Sequence, residues 1–402
     1  MFNQDQNRLA PTLAMIMAAS LVGFITGYTV PLISLELAQQ QTDTVYVGLL
    51  AALPPAGMML SSFLSPALCR RFEMGHLLSA SLILLALATI ASCLTVDLMQ
   101  LLLPRFLTGI ASGVIIVLGE SWITGGAAGK NRATLTGIYA SAFTGCQLAG
   151  PLLISAGSEY QIWVLVAVVV LTAACLLMLR HLPTGSRETL SERASWLSLG
   201  AFLPVLASGV FCFAFFDASI LALLPLYGMD KGLNEAMAVL LVTIVLTGDA
   251  LFQAPLGWVA DRFGIRRVHL SCAAVFCLSL LALPFLLVSP VQLIVGCLVL
   301  GAAAGALYTL SLVRAGKTFN GQKLIMINAL LGFFWSAGSV AGPVISSLVI
   351  SVSGYDGLLI TLLASGGLFL LIQCLGKTEQ TLLAAADEDS DDDDDDAQPA
   401  TA

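Results

Sequence analysis

Long runs of apolar residues, separated by short polar segments, extend along the chain from about residue 12 to residue 376. A helix that crosses a bilayer needs about 20 such residues. The runs are continuous, whereas the strands of a membrane barrel alternate between apolar and polar positions. The pattern therefore predicts an all-α integral membrane protein with twelve transmembrane helices. The predicted spans are 12–36, 45–68, 75–95, 98–121, 132–155, 160–180, 198–227, 236–259, 268–288, 291–314, 323–351 and 355–376.

The composition excludes an ordinary soluble protein. Of the residues, 58% are hydrophobic and only 10% are charged, whereas roughly a quarter of the residues in a soluble domain are charged. The nine cysteines include no C-x-x-C pair, so they are interpreted as small core residues rather than disulfides or metal ligands. No phosphate-binding loop, zinc pattern or catalytic-triad spacing occurs. We therefore expect neither an enzyme nor an ATP-driven pump, and no cofactor, metal or nucleic-acid partner.

The basic residues predict the orientation in the membrane. If both termini are cytoplasmic, fifteen Lys and Arg residues fall on the cytoplasmic side, Lys231 falls outside and Arg105 lies within a helix. Cytoplasmic loops carry an excess of positive charge, so this distribution predicts a multi-pass protein with both termini in the cytoplasm. Nine acidic residues lie in 387–396. Because such a run repels itself, residues 377–402 are predicted to form a disordered cytoplasmic tail.

An internal repeat divides the chain into two similar halves. Shifting the sequence by about 192 residues brings three pairs of segments into register. The pairs are AGP at 149–151 with AGP at 341–343, VPL at 30–32 with LPL at 224–226, and CRRF at 69–72 with ADRF at 260–263. We therefore predict a six-helix bundle over 1–180, a cytoplasmic linker over 181–197 and a second six-helix bundle over 198–376. A substrate site is expected between the two bundles, near the midplane.

Several motifs resemble those of the major facilitator superfamily. The segment GWVADRFGIRR at 257–267 is similar to the family's loop motif G-x-x-x-D-R-x-G, and its copy PALCRRFEMGHL, after the second span, is degenerate. RFLTGIASG at 105–113 is similar to the fourth-helix motif with a buried arginine, and GCQLAGP at 145–151 to the fifth-helix motif of antiporters. GESWI at 119–123 resembles a bacterial branch that contains YcaD-like transporters. The resemblance implies the major facilitator fold and a secondary transporter of the bacterial inner membrane that works by alternating access. We expect this transporter to be a monomer.

The resemblance assigns the loop motif to a gate. Its matching residues are Gly257, Asp261, Arg262, Gly264, Arg266 and Arg267. Gly257 is expected to let two helices approach closely. Asp261 is expected to cap a helix of the other half near Asn131, where a carboxylate gains about 0.3–1 kcal/mol. The arginines are expected to hold carbonyls and lipid phosphates and so to stabilise an outward-facing state, the alternative being anchors on the cytoplasmic side. A second set, expected to serve helix packing, is Gly145, Gly150, Pro151, Gly342 and Pro343.

Ionisable residues within the spans are candidates for function because each is costly in the membrane. Arg105 and Asp217 are placed about 10 Å and about 15 Å below the outer surface, at about 1.5 Å per residue. We expect them to form an ion pair across the two halves that substrate or a proton breaks; the alternative is that each satisfies local groups. Asp249, with Gln253 one turn away on the same face, is expected to carry a proton, or else to be a water-facing structural carboxylate. Glu120 is interpreted as a coupling acid or as a side chain that reaches the interface.

Polar and aromatic residues within the spans are candidate substrate contacts, although each alone is more often a packing residue. They are Tyr28, Tyr139, Gln147, Tyr308, Asn328 and Trp335. Together these features favour proton-coupled export of a small amphipathic or hydrophobic compound, with membrane lipids around the protein and sodium as the alternative coupling ion. Uptake of a small solute, or of an anion attracted to Arg105, is the first alternative. A non-transporting sensor or assembly protein on the same fold is the second.

Overall fold

The computed structural model describes most of the chain, namely residues 2–95, 97–126, 132–157, 160–180, 203–287, 289–318 and 321–375. Within these ranges the chain folds into twelve α-helices, as the hydrophobic pattern predicts. They are α1 (Phe2–Gln39), α2 (Thr44–Arg71), α3 (Met74–Cys93), α4 (Leu98–Gly126), α5 (Arg132–Ala156), α6 (Gln161–Leu179), α7 (Leu203–Asp230), α8 (Glu235–Phe263), α9 (Ile265–Leu286), α10 (Pro290–Thr318), α11 (Gly321–Ser353) and α12 (Gly357–Leu375). Each contains a segment long and apolar enough to cross a membrane. The predicted linker and acidic tail lie outside the described residues.

Polar caps and one glycine define helix ends at the short turns. At the start of α2, Asp43 Oδ1 accepts a hydrogen bond from Val45 N at 3.0 Å, and at the start of α8, Asn234 Oδ1 accepts one from Met237 N at 2.8 Å. Each cap satisfies an N–H group that has no partner inside the helix. Gly264 separates α8 from α9 with a φ of +93°. Because glycine has no Cβ, it adopts this conformation readily, and α9 begins at the next residue.

Two helix crossings in the first half have counterparts in the second. α1 packs along α5 and α2 along α4, and in the same way α7 packs along α11 and α8 along α10. Glycines make these approaches close. A Cβ on Gly27 would collide with the carbonyl oxygen of Gln147, and one on Gly342 with the carbonyl oxygen of Phe215. Small residues of this kind let membrane helices approach backbone to backbone, so α1–α6 and α7–α12 form two similar six-helix halves.

The repeated AGP motif lies at two of these crossings. A Cβ on Gly150 would collide with the backbone of Gly27, and Pro151 and Pro343 are both buried. Gly145 was expected to pack in the same way, but a Cβ there would meet no atom within 4 Å. That expectation is wrong because residue 145 lies on another side of α5, about 140° around the helix from Gly150 at about 100° per residue.

The two halves share one hydrophobic core at one end of the bundle. We call the end where α1 begins and α12 ends the termini face, and the end with the α1–α2 and α7–α8 turns the opposite face. Toward the opposite face, Val30, Leu37 and Leu50 of the first half join one cluster with Leu224 and Val242 of the second. Lipid tails are as apolar as these side chains, so within the membrane the contact is stabilised by close packing rather than by removal from water. The halves are therefore joined firmly at the opposite face.

Toward the termini face the halves have separate cores. Met15 and Leu118 belong to a cluster of the first half, whereas Leu206, Ala315 and Leu331 belong to a cluster of the second. Contact continues along the α2–α11 edge, where the rings of Phe63 and Phe333 have centroids 5.9 Å apart. The bundle therefore contains a cleft between its halves that opens toward the termini face and is closed at the opposite face.

Candidate transport site between the two halves

Asp249 lies near the middle of α8 and is buried against α10. The residue is 5% exposed, and its carboxylate occupies the space that a Cβ on Gly305 would need. Gln253 Nε2 donates a hydrogen bond to Asp249 Oδ1 at 2.9 Å, the contact that the spacing of four residues predicts. Gly301 packs against the carbonyl oxygen of Val245, which brings the two helices close enough to enclose the acid. The carboxylate is thus held deep in the bundle beside an amide.

Asp217 lies near the middle of α7 and is only 8% exposed. The side chain of Gln147, on α5 of the first half, contacts the Asp217 carboxylate, and Asp249 is close enough to interact with it electrostatically. Among the described residues, no Lys, Arg or His side chain forms an ion pair with either aspartate. The site therefore brings an amide from the first half to two carboxylates of the second.

The expected ion pair between Arg105 and Asp217 is not formed. Arg105 is 2% exposed, its Nη1 donates a hydrogen bond to Thr29 Oγ1 of α1 at 2.8 Å, and its charge interacts with Cys93 of α3. These partners belong to the first half, and α1 packs against both α4 and α7. The prediction is wrong because depth along a helix does not determine direction: the side of α4 that carries Arg105 faces α1.

Glu120 lies in the last third of α4, toward the termini face. It is exposed although its neighbours Gly119 and Tyr139 are buried. Its charge interacts with Tyr139 of α5 and with Tyr308 of α10. Because Tyr308 belongs to the other half, Glu120 faces across the cleft. An exposed carboxylate between buried neighbours indicates that water reaches this part of the cleft.

Aromatic side chains form part of the second half's wall of the cleft. Tyr308 interacts with Asp249 as well as with Glu120, and its ring centroid lies 5.4 Å from that of Phe213 on α7. Tyr308 and Trp335 are partly buried on the second half's cluster at the termini face. Tyr308 therefore lies between the buried Asp249 carboxylate and an aromatic surface of the second half.

The remaining candidate contacts have other environments. Tyr28 is 4% exposed and packs with Cys93 and Val164 inside the first half, so it serves packing there rather than facing the cleft. Tyr139 is also buried in the first half, and its hydroxyl has no hydrogen-bond partner among the described residues. The side chain of Asn328 lies outside the described residues.

Sequence comparison identifies the family to which this architecture belongs. The sequence model of the Major Facilitator Superfamily matches residues 14–246 and 206–387, nearly the whole helical part of the chain. The chain belongs to the Major Facilitator Superfamily. It is therefore a multi-pass membrane transporter and not an enzyme, as the motifs predict.

Relatives and solved structures of the superfamily match over almost their full length. An uncharacterized MFS-type transporter of Yersinia enterocolitica is 27% identical over 358 residues, covering 87% of this chain and 91% of the relative. The uncharacterized MFS-type transporter YcaD of Shigella flexneri is 25% identical over 355 residues, with the same coverage of 87% and 91%. The structure of a D-xylose–proton symporter superimposes with a TM-score of 0.75 at 17% identity, covering 93% of this chain and 98% of that one.

A second solved structure has a title that states its conformation. It is a bacterial homolog of the human lysosomal transporter Spinster, in an inward-facing and unoccupied conformation. It superimposes with a TM-score of 0.71 at 15% identity, covering 94% of this chain and 96% of that one. At these identities the structural matches establish the shared major facilitator fold of two six-helix halves.

In this superfamily member the loop motif forms the α8–α9 turn at the termini face. Gly264 forms the turn with a positive φ, a conformation that favours glycine. The guanidinium of Arg262 lies 5.7 Å from the centroid of the Trp258 ring. Arg266 Nη2 donates a hydrogen bond to the carbonyl oxygen of Gln373 on α12 at 3.2 Å, and Arg267 is exposed. The side chain of Asp261 lies outside the described residues.

Gly257 does not bring two helices together in this conformation. A Cβ at residue 257 would meet no atom within 4 Å, so the expected close approach is absent there. The physical reason is the shape of the bundle. The cleft opens at the termini face, and no described helix of the first half lies against this side of α8.

A buried polar network at the termini face of the transporter's second half was not predicted from the sequence. Gln373 of α12 is 2% exposed. Its Oε1 accepts a hydrogen bond from Arg314 Nη1 of α10 at 3.2 Å, and its Nε2 donates one to the carbonyl oxygen of Val205 on α7 at 2.7 Å. With the bond from Arg266, this side chain and its backbone link α7, α9, α10 and α12. The available signal was a single carboxamide in a span whose other residues are apolar, glycine or small hydroxyl residues.

Proposed function

We propose that this transporter exports a small amphipathic or hydrophobic compound in exchange for protons. The observation that carries the proposal is the position of Asp217 beside Asp249, deep in the bundle, with amides as described partners. Carboxylates within a span are costly, and two that interact repel each other when both are ionised. Binding of a proton relieves that repulsion. The pair is therefore suited to take up a proton and release it during a transport cycle.

Gln147 supports a link between proton binding and movement of the halves. It sits at the α1–α5 crossing, where its carbonyl oxygen packs on Gly27, so it moves with the first half. A carboxamide can donate to an ionised carboxylate and can accept from a protonated one. Its contact with Asp217 therefore differs between the two protonation states. A ligand shifts a conformational equilibrium only through such a difference.

We place the termini face in the cytoplasm because fifteen of the Lys and Arg residues lie on that side by sequence. We also propose that the protein lies in a bacterial inner membrane and works as a monomer. The described conformation is then inward-facing, with a cleft open to the cytoplasm. In export, the compound enters the cleft from that side, and the halves then close over it and open at the opposite face.

The outward-facing state requires closure of the termini face, which we assign to the loop motif. Asp261 would then cap a helix of the first half, and the open space beside Gly257 is where that helix would come to lie.

Asp261→Asn should weaken the closure. In a variant without its native cysteines, a cysteine in place of Glu120 should therefore react faster with a membrane-impermeant maleimide added from the cytoplasmic side. Arg180→Gln, at an exposed basic residue of the same face outside the loop motif and its copy, should leave the rate unchanged. Equal rates with and without Asp261→Asn would contradict the assignment of this closure to the loop motif.

The experiment that tests coupling is proton movement in proteoliposomes that contain a pH-sensitive dye. Cationic, neutral and anionic compounds are added to wild type, Asp217→Asn and Asp249→Asn. Compound-driven proton movement should occur in wild type and be lost in at least one variant. Asp43→Asn, the same change at an exposed helix cap, should retain it. Folded wild-type protein that moves no protons with any compound would contradict proton coupling and favour sodium coupling or a sensor.

Uptake is the alternative direction, and vesicles of known orientation distinguish the two. Export predicts that right-side-out vesicles lose a loaded compound faster when the outside is acidic. Accumulation of the compound under the same gradient would establish uptake instead. The position of Arg105 argues against uptake of an anion bound by this residue, because its guanidinium is buried and bonded to Thr29 within the first half.

A further inference from the structure

We propose that the cleft binds an organic cation with an aromatic or bulky apolar body, its charge beside Asp249 and its body against Tyr308 and the aromatic side chains around it. This inference rests on the proposed transport function and names the substrate class of the same site. The described site carries acidic groups and aromatic rings together. A ligand that satisfies both has a positive charge and an apolar surface.

The charges at the cleft favour a cation. Tyr308 interacts with Asp249 on one side and with Glu120 on the other. The buried arginines of the described residues are used elsewhere: Arg105 bonds to Thr29, and Arg314 bonds to Gln373 in the second half. Charges interact more strongly away from bulk water. A positive group that enters the cleft therefore meets carboxylates, and an anion would meet repulsion.

The aromatic surface favours a flat or bulky apolar body on that cation. The Tyr308 ring lies against Phe213, with an interplanar angle of 31°. Trp335 and Phe334 of α11 are partly buried on the same cluster as Tyr308. Ligand pockets are mostly apolar with a few placed polar groups, and a cation over an aromatic face is attracted to the ring. Tyr308 can therefore contact both the charge and the body of such a ligand.

A shared carboxylate would explain how a cation and a proton exchange. The titratable groups that face Asp249 are Asp217 from α7 and Tyr308 from α10; the other described polar partner is the Gln253 amide on its own helix. When a proton occupies the Asp249 carboxylate, the attraction for an organic cation is lost. Binding of one therefore opposes binding of the other, which is the condition for exchange on a common site.

The test is equilibrium binding of radiolabelled tetraphenylphosphonium to the purified full-length chain in detergent. We expect saturable binding that is weaker by about tenfold at about pH 6 than at about pH 8, because protons compete for the carboxylate. Neutral triphenylphosphine oxide, which has a similar aromatic body and no charge, should not displace it at equal concentration. Tetraphenylphosphonium that binds no better than the neutral compound would overturn the assignment of charge.

Variants locate the binding in the cleft. Asp249→Asn should weaken binding and remove its pH dependence. Tyr308→Leu should weaken binding by about tenfold, whereas Tyr308→Phe, which keeps the ring, should bind as wild type does. Phe285→Leu, at an aromatic residue that is 77% exposed at the end of α9, is the matched control and should have no effect. Melting temperatures show which variants are folded. Wild-type affinity in folded Tyr308→Leu and Asp249→Asn would place the cation elsewhere and overturn the proposal.

The two proposals fail in different ways. If tetraphenylphosphonium binds with this pattern but drives no proton movement in proteoliposomes, proton coupling is wrong and the cation site stands. If neutral compounds drive proton movement that depends on Asp249 while tetraphenylphosphonium does not bind, the cation site is wrong and coupled transport stands.

Discussion

The α2–α4 crossing of the first half and the α8–α10 crossing of the second have the same backbone design. Under the shift of 192 residues two glycines of α4 coincide with two glycines of α10. The two pairs are Gly109 with Gly301 and Gly113 with Gly305. A Cβ on Gly109 would collide with the carbonyl oxygen of Pro54, and one on Gly301 with the carbonyl oxygen of Val245. In both halves a glycine therefore lets one helix rest on the backbone of the other.

The two crossings differ in the side chain that lies beside the second glycine. In the first half the hydroxyl of Ser61 lies beside Gly113, and in the second half the carboxylate of Asp249 lies beside Gly305. The first half has its own buried ion, Arg105, but that cation is bonded within the half. A duplicated scaffold therefore carries different chemistry in its two copies. The second half holds the aspartates suited to bind a proton, and the first supplies structure, the Gln147 amide and, nearer the termini face, the Glu120 carboxylate.

The largest effect should come from filling the close approach in either copy. Gly109→Leu and Gly301→Leu each push a side chain into the backbone of the partner helix, which cannot move aside cheaply. Overpacking of this kind typically costs about 1–3 kcal/mol and occasionally more, and here we expect loss of folded protein. The measurements are the monodisperse fraction after detergent extraction and the melting temperature.

The control for this change is Gly367→Leu, because a Cβ at residue 367 of α12 would meet no atom within 4 Å. It should extract and melt as wild type does. If Gly301→Leu were damaging and Gly109→Leu harmless, the two crossings would not be equivalent, and the comparison of the halves would fail.

A smaller substitution at the second glycine should separate transport from stability. Alanine at residue 305 displaces the Asp249 carboxylate, whereas alanine at residue 113 meets the Ser61 hydroxyl and, at 2.9 Å, the Cα atom of Met58. Both should melt lower, by an amount that reflects about 1–3 kcal/mol of overpacking. Only Gly305→Ala should reduce compound-driven proton movement per folded molecule, by about tenfold or more, as expected when a proton-transfer group is misplaced. Equal activity of the two variants would contradict the unequal roles of the halves.

Much of the fold could be predicted from the sequence because it depends on the lengths of apolar runs. The bilayer imposes those lengths, and the twelve helices lie where the runs occur. The contact between Asp249 and Gln253 could also be predicted, since residues four apart lie on one side of a helix. A contact between two residues of the same helix can thus be predicted from their spacing in the sequence.

Contacts between helices could not be predicted in the same way. Arg105 and Asp217 are both inside the membrane, but the rotation of α4 turns the arginine toward Thr29. Gly257 lies in a recognisable motif, but its neighbours depend on whether the cleft is open at the termini face. The role of Gln373 depends on three other helices that its own span does not reveal. Helix rotation and conformational state, which one chain's pattern does not encode directly, account for these differences.

The smallest effect should come from the buried cation of the first half. Thr29→Val removes the hydroxyl that accepts from Arg105 Nη1 and leaves a buried guanidinium with one bond fewer. Loss of such a partner costs about 1–3 kcal/mol, so the melting temperature should fall. Thr29→Ser keeps the hydroxyl and should restore it. Thr26→Val is the matched control, because among the described residues the Thr26 hydroxyl bonds only to the carbonyl oxygen of Val22, one turn earlier.

Proton movement distinguishes a structural Arg105 from one that takes part in coupling. If the cation only stabilises the first half, Thr29→Val should retain compound-driven proton movement per folded molecule, with an unchanged pH profile, although less protein survives heating. A shifted pH profile in folded Thr29→Val would show that Arg105 influences the aspartates across α1. The proton chemistry would then belong to both halves, and the contrast between a structural first half and a proton-binding second half would have to be abandoned.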